Sequence, residues 1–102
     1  MRERPGARSI FWMYTVLIDE ALFGMASRAL SGELGAMGIQ TRPLWCPLNR
    51  LPPYREAQAW NIGVAGRLYA EALSLPCSVG LTLDEARHVA GCIATIQDRC
   101  HR

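Results

Sequence analysis

Two histidines, four cysteines and eleven arginines hold most of the reactive chemistry open to this 102-residue chain, which contains no lysine. Without a side-chain amine, no residue inside the chain can form a Schiff base with a carbonyl. Cys46, Cys77, Cys92 and Cys100 lack the C-x₂-C spacing of a zinc site. Cys77 and Cys92 stand among apolar or small residues, where a free thiol behaves as a small hydrophobe. His88 falls in a predicted helix and His101 at the C-terminus, and neither has a partner at metal-ligand spacing, so no metal is expected. The densest cluster of unusual side chains is TRPLWCPLNRLPPYR, residues 41–55, where prolines, arginines and Trp45 crowd between two helix-like stretches. Four prolines in fifteen positions make the segment rigid and raise the question of what it holds in place.

The elements around this segment follow from periodicity. The run IFWMYTVLI is aromatic and β-branched without polar alternation, which predicts a strand covered on both faces. Met25, Leu30, Leu34 and Met37 recur at helical spacing, with Gly38 placed to end the helix in a left-handed conformation. IQTRPLW predicts a short second strand that Pro43 confines to an edge or terminus. Asn61 is the expected N-cap of a helix reaching about Leu73, with Ile62, Ala65, Leu68 and Ala72 on one face; Trp60 would staple its start. Ser74 to Pro76 is expected as a third strand. Thr82 and Glu85 have the spacing of a capping box at the head of a last helix whose apolar face is Ala86, Val89, Ala90 and Ile93. The sum is one α+β domain, a small three-stranded sheet with helices packed on it, over residues 9–97, between tails at 1–8 and 98–102. Helices cover one sheet face in such a layer, whereas the first strand asks for cover on two.

Composition narrows the function. A net charge of +2 argues against a basic nucleic-acid surface. The arginines before the first apolar run imitate a signal peptide, but Asp19 and Glu20 follow the run directly and nine apolar residues fall far short of the ~20 that span a bilayer. No membrane association is expected, and a cytoplasmic protein with reduced thiols follows.

The order FWMYTVLIDE, GELGAMGIQTRPLWCPLNRLPPY, AEALSLPCSVGLTLDEARHVAGCI resembles the C-terminal small domain of the DegT/StrS sugar aminotransferases, in particular their perosamine synthase-like branch. The likeness covers roughly residues 9 to 97, and GIQTRPLW, the following LPPY and LSLP before GLT are its most specific parts. It implies the small domain of a fold-type I enzyme that uses pyridoxal phosphate to move an amino group, typically from glutamate, onto a keto group of a nucleotide-linked sugar. In that family a large domain preceding this one supplies the cofactor's lysine and its acidic partner. The resemblance therefore implies a detached last quarter of an enzyme, inactive and without stable cofactor when alone, whose partner is a large cofactor-binding domain or second subunit. The nucleotide-sugar substrate would be met only in the complete enzyme.

By the same resemblance, the loop holding TRPLWCPLNRLPPY lies over the active-site entrance. Arg42 is then the candidate contact to a substrate carboxylate or phosphate, because its guanidinium pairs bidentately. Trp45 would wall the pocket. Asn49 stands where relatives often carry histidine; it hydrogen-bonds but does not titrate, which removes an acid-base role there. The plainer alternatives are an exposed ion pair of Arg42 with Glu33 or Glu56, and core or interface packing for Trp12 and Trp45. Tyr54 is expected to pack its ring and keep its hydroxyl wet. A different class of function also stays open: a non-catalytic interaction or self-association module using an exposed sheet face. Thiol redox or metal chemistry ranks below both for want of spacing.

Overall fold

The computed structural model describes residues 3–102. Its regular elements are β1 (Thr15–Leu17), α1 (Glu20–Phe23), α2 (Ser27–Ala36), β2 (Arg42–Pro43), α3 (Gly63–Glu71), β3 (Ala72–Ser74) and α4 (Leu83–Cys100). Two single 3₁₀ turns, Leu48–Arg50 and Pro52–Tyr54, interrupt the loop between β2 and α3. The strands form one antiparallel sheet in the order β1-β3-β2, as the expected α+β layer requires. Thr15 and Arg42 flank Ser74, and Val16 and Pro43 flank Leu73. Pro43, which has no N–H for a second ladder, accordingly sits in an edge strand.

Strand alternation gives the sheet two unequal faces. Val16 and Leu73 point into a core with Ile18, Phe23, Leu30, Leu34, Ile39, Val89, Cys92 and Ile96, supplied by α1, α2, α4 and their connections. On the opposite face Thr15 Oγ1 and Ser74 Oγ lie 3.0 Å apart. Leu17 beside them remains 53% exposed, so the expectation of a doubly covered first strand is met on one face only.

β1 is also shorter than the apolar run predicts. Its ladder continues for one bond, Leu75 N–H to Tyr14 O at 2.9 Å, and then meets Pro76, which has no donor. Residues 10–14 consequently precede the strand instead of forming it. β3 lies two residues earlier than expected, because pairing with both neighbours falls on Ala72–Ser74, all three buried. Asn61 does not cap α3: it has φ 49°, Ile62 occupies the N-cap position, and no side chain bonds there. Trp60 is 87% exposed, so it staples nothing.

Other local signals are realised as read. Gly38 is left-handed at φ 78°, with Ile39 N–H donating to Leu34 O at 2.9 Å just past α2. Both halves of the Thr82–Glu85 capping box are formed at the start of α4. α1 was not anticipated; Asp19 caps it through the N–H groups of Ala21 and Leu22, and Gly24 closes it. Among the described residues no helix is long and apolar enough to cross a membrane.

Candidate functional site

Arg42, Trp45 and Asn49 enter the loop from three different settings. Arg42 lies in the edge strand, its side chain exposed and, among the described residues, bonded only to its neighbour, with Nη1 donating to Thr41 O at 3.1 Å. Of the two carboxylates expected to neutralise it, Glu33 is engaged by Arg99 Nη2 at 2.9 Å instead. Among the described residues no carboxylate lies within ion-pair distance of Arg42. Trp45 is 75% exposed, a large apolar surface facing solvent. Asn49 is half-buried in the first 3₁₀ turn and, with Pro47, Leu48, Tyr54, Ile62 and Ala65, lines a pocket of about 430 Å³. Arg42 and Trp45 are not among the residues that line it, so the three residues do not converge on one enclosed site within this chain. Tyr54 lines the same pocket and is about half exposed.

The loop itself has little to hold it. Its backbone hydrogen bonds are short-range: Arg50 N–H to Pro47 O, Leu51 to Leu48, Tyr54 to Leu51 and Ala57 to Tyr54, at 2.9–3.1 Å. The link to the body of the domain runs through residues that no sequence motif singles out. The Arg50 guanidinium lies 5.6 Å from the Tyr69 ring centroid, and that of Arg28 lies 4.7 Å from the same ring. Arg28 Nη2 also donates to Tyr69 O at 3.0 Å, and Ser27 Oγ to Ala70 O at 2.6 Å. These bonds satisfy carbonyls that the last turn of α3 leaves without helical partners. The first turn of α2 is thereby tied to the last turn of α3, with the loop's arginine resting on the joint.

Two apolar grooves lie elsewhere on the surface. One, about 690 Å³, runs over the outer sheet face between Thr15, Leu17, Leu44, Leu68 and Ala72, and reaches the loop through Leu44, the residue before Trp45. The other, about 660 Å³, lies between Phe11, Tyr14, Cys77, Val79 and the α4 residues Ala86 and Val89, and contains none of the three candidate residues. Cys92 is a buried core residue whose Sγ stands 3.7 Å from His88 Nε2 one helical turn away. Among the described residues, no three His, Cys, Asp or Glu side chains converge on a point that would hold a metal.

Comparison with known proteins places this architecture. The chain is 35% identical over 75 residues to the GDP-perosamine synthase of Caulobacter vibrioides, covering 74% of this chain and 20% of that protein. Its fold matches the aminotransferase TlmJ from Streptoalloteichus hindustanus with a TM-score of 0.83 at 20% identity, over 100% of this chain and 26% of that one. It matches Helicobacter pylori PseC, an aminotransferase involved in the biosynthesis of pseudoaminic acid, with a TM-score of 0.73 at 19% identity, over 85% of this chain and 24% of that one. The chain therefore spans about a fifth to a quarter of the length of these relatives. The family model of the DegT/DnrJ/EryC1/StrS aminotransferases matches residues 1–94, and the chain belongs to that family.

Proposed function

We propose that this chain serves as the C-terminal small domain of a pyridoxal phosphate-dependent, nucleotide-sugar aminotransferase, and that it acts only together with a large cofactor-binding domain. The family match over residues 1–94 carries the reading. The chain's own residues do not make a seat for the cofactor. They offer no lysine amine, and the three candidate residues supply one guanidinium, one carboxamide and an exposed indole that share no common pocket. What they do suit is the substrate side. Arg42, free of carboxylate partners among the described residues, would pair with a phosphate or carboxylate oxygen, Trp45 would cover the bound sugar nucleotide, and Asn49 would donate or accept a hydrogen bond without changing charge. A cytoplasmic setting with reduced thiols fits four cysteines that are all unpaired.

The test combines the chain with the large domain of a related enzyme, pyridoxal phosphate, glutamate and a nucleotide-linked keto sugar. Amino transfer is expected with both parts present and not with this chain alone. Borohydride reduction of the isolated chain with the cofactor should leave no pyridoxyl adduct on any side chain by mass spectrometry. Arg42→Ala should cost about 10- to 100-fold in kcat/KM, the range of a lost charge-assisted hydrogen bond. Transfer by the chain alone, or an Arg42→Ala variant as active as the parent, would overturn the reading. The second reading, a non-catalytic self-association module, draws on the exposed Trp12, Leu17 and Trp45 and is separated from the first by mass measurements with and without the large domain.

A further inference from the structure

We propose that Tyr69 is a positioning residue: gripped by Arg28 and Arg50, it holds the 3₁₀ turn carrying Asn49 against the body of the domain. The functional half of this statement rests on the substrate-side reading of Asn49 given above; the mechanical half stands on the geometry alone. Among the described residues, no backbone hydrogen bond joins residues 45–59 to a strand or helix, so side chains must fix the loop. Arg50 is adjacent to Asn49 and directs its guanidinium over Tyr69 at 5.6 Å, within the range at which a cation is attracted to a ring face. Space for it is made by Gly66, one turn earlier on α3, where an added Cβ would stand 3.3 Å from Arg50 Nη2. The ring is itself held from α2, since Arg28 stacks on it at 4.7 Å and bonds the Tyr69 carbonyl at 3.0 Å. Three segments distant in sequence thus meet on one aromatic ring, and the segment with no other polar anchor among the described residues is the one bearing Asn49. The attraction acts on the ring face, so phenylalanine should substitute for tyrosine and an aliphatic residue should not.

Hydrogen exchange read by mass spectrometry on the full 102-residue chain tests the clamp. The amides of Arg50, Leu51, Tyr54 and Ala57 are the reporters, because each donates inside the loop. In Tyr69→Leu they should exchange about two- to five-fold faster than in the parent, the factor that an exposed cation–π contact is worth. Tyr69→Phe should restore parental rates, and α4 amides should be unchanged throughout. Arg50→Gln, an exposed substitution that leaves α3 intact, should loosen the same amides and serves if Tyr69→Leu does not fold. Loop rates in both variants that match the parent, or Tyr69→Phe exchanging as fast as Tyr69→Leu, would overturn the clamp. In the assembled enzyme, Tyr69→Leu should raise the KM for the nucleotide sugar with little change in kcat; an unmoved KM beside a loosened loop would overturn the positioning role. Failure of the underlying reading shows separately, as an unchanged KM in Asn49→Ala.

Discussion

Glu85 has a shifted acidity although it lies fully on the surface, and its surroundings show why. Its carboxylate accepts the Thr82 backbone N–H and the Thr82 hydroxyl, both at 2.7 Å. The backbone bond first, and the hydroxyl second, hold its carboxyl below the usual glutamate range, outweighing a small opposing effect of burial. The unfolded chain, which lacks both bonds, takes up this proton at a higher pH than the folded chain does. The contribution of the capping box is therefore complete above the ordinary glutamate range and is lost as pH falls through it toward the lowered folded value. Glu85→Gln keeps a group able to accept from Thr82 and removes the titration. Its melting temperature should fall less than the parent's between about pH 7 and about pH 3, the interval containing the unfolded glutamate pKa. Equal acid sensitivity in the two proteins would mean that the box is not linked to the proton.

At the scale of elements, α1 and α4 meet through a glycine that cannot be replaced without strain. Gly24 caps α1 at φ 91°, and an added Cβ would stand 2.6 Å from Cys100 Cβ, an atom next to backbone with little room to move. Gly38 has a similar φ of 78° but open space around it. Gly38→Ala should therefore show the left-handed backbone penalty alone, about 1 kcal/mol, while Gly24→Ala adds overpacking of about 1–3 kcal/mol. With about 4–8 °C of melting temperature per kcal/mol in a domain of this size, thermal melts distinguish the two. Indistinguishable losses would show that Cys100 yields. The contrast in legibility follows the same division between local and distant causes. The Thr82 box, Gly38 and the Leu30–Leu34 pair of α2 are written within single turns and were readable in advance, whereas Met25 falls before that helix and Met37, expected on its apolar face, is exposed just after it. α1 is only four residues long, too short for periodicity, and its marks are a cap at Asp19 and a stop at Gly24. β3 was displaced because its position is set by pairing on both sides, while YAEALS alone favours continued helix. The Arg28–Tyr69 contact spans 41 residues and has no motif, so it became visible only with the fold. Arg42, Trp45 and Asn49 were singled out by family likeness, and the fold adds their settings: an exposed cation, an exposed indole and a half-buried amide.

The whole molecule shows more surface than its mass requires. Its accessible area is 7949 Å², whereas a compact monomer of 11.3 kDa exposes about 5,700 Å². Its radius of gyration, 15.8 Å, likewise exceeds the ~13 Å of a compact domain of this length. The excess, about 2,200 Å², is more than the ~800 Å² that each partner contributes to a standard stable interface. Large apolar side chains make up part of it: Ile10, Trp12, Leu17, Trp45 and Val79 are all exposed, whereas Met13 is half-buried. Covering even ~800 Å², somewhat over half of it apolar, corresponds to about 11 kcal/mol of gross burial free energy before the costs of association. That is the size of the entire stability of many domains, ~5–15 kcal/mol. The isolated chain should accordingly melt at low temperature and associate with itself in proportion to concentration. A large domain supplied at about a hundred times its dissociation constant should add about 2.7 kcal/mol, raising the melting temperature by more than 10 °C in a domain this small. It should also dissolve the self-association, with Trp12 and Trp45 fluorescence shifting to the blue as their indoles leave water. Sedimentation velocity and thermal melts across a dilution series, with and without the large domain, make the comparison. A chain that stays monomeric when concentrated and melts identically with the large domain present would show that this surface needs no cover, and would leave the independent-module reading in possession of the exposed sheet face.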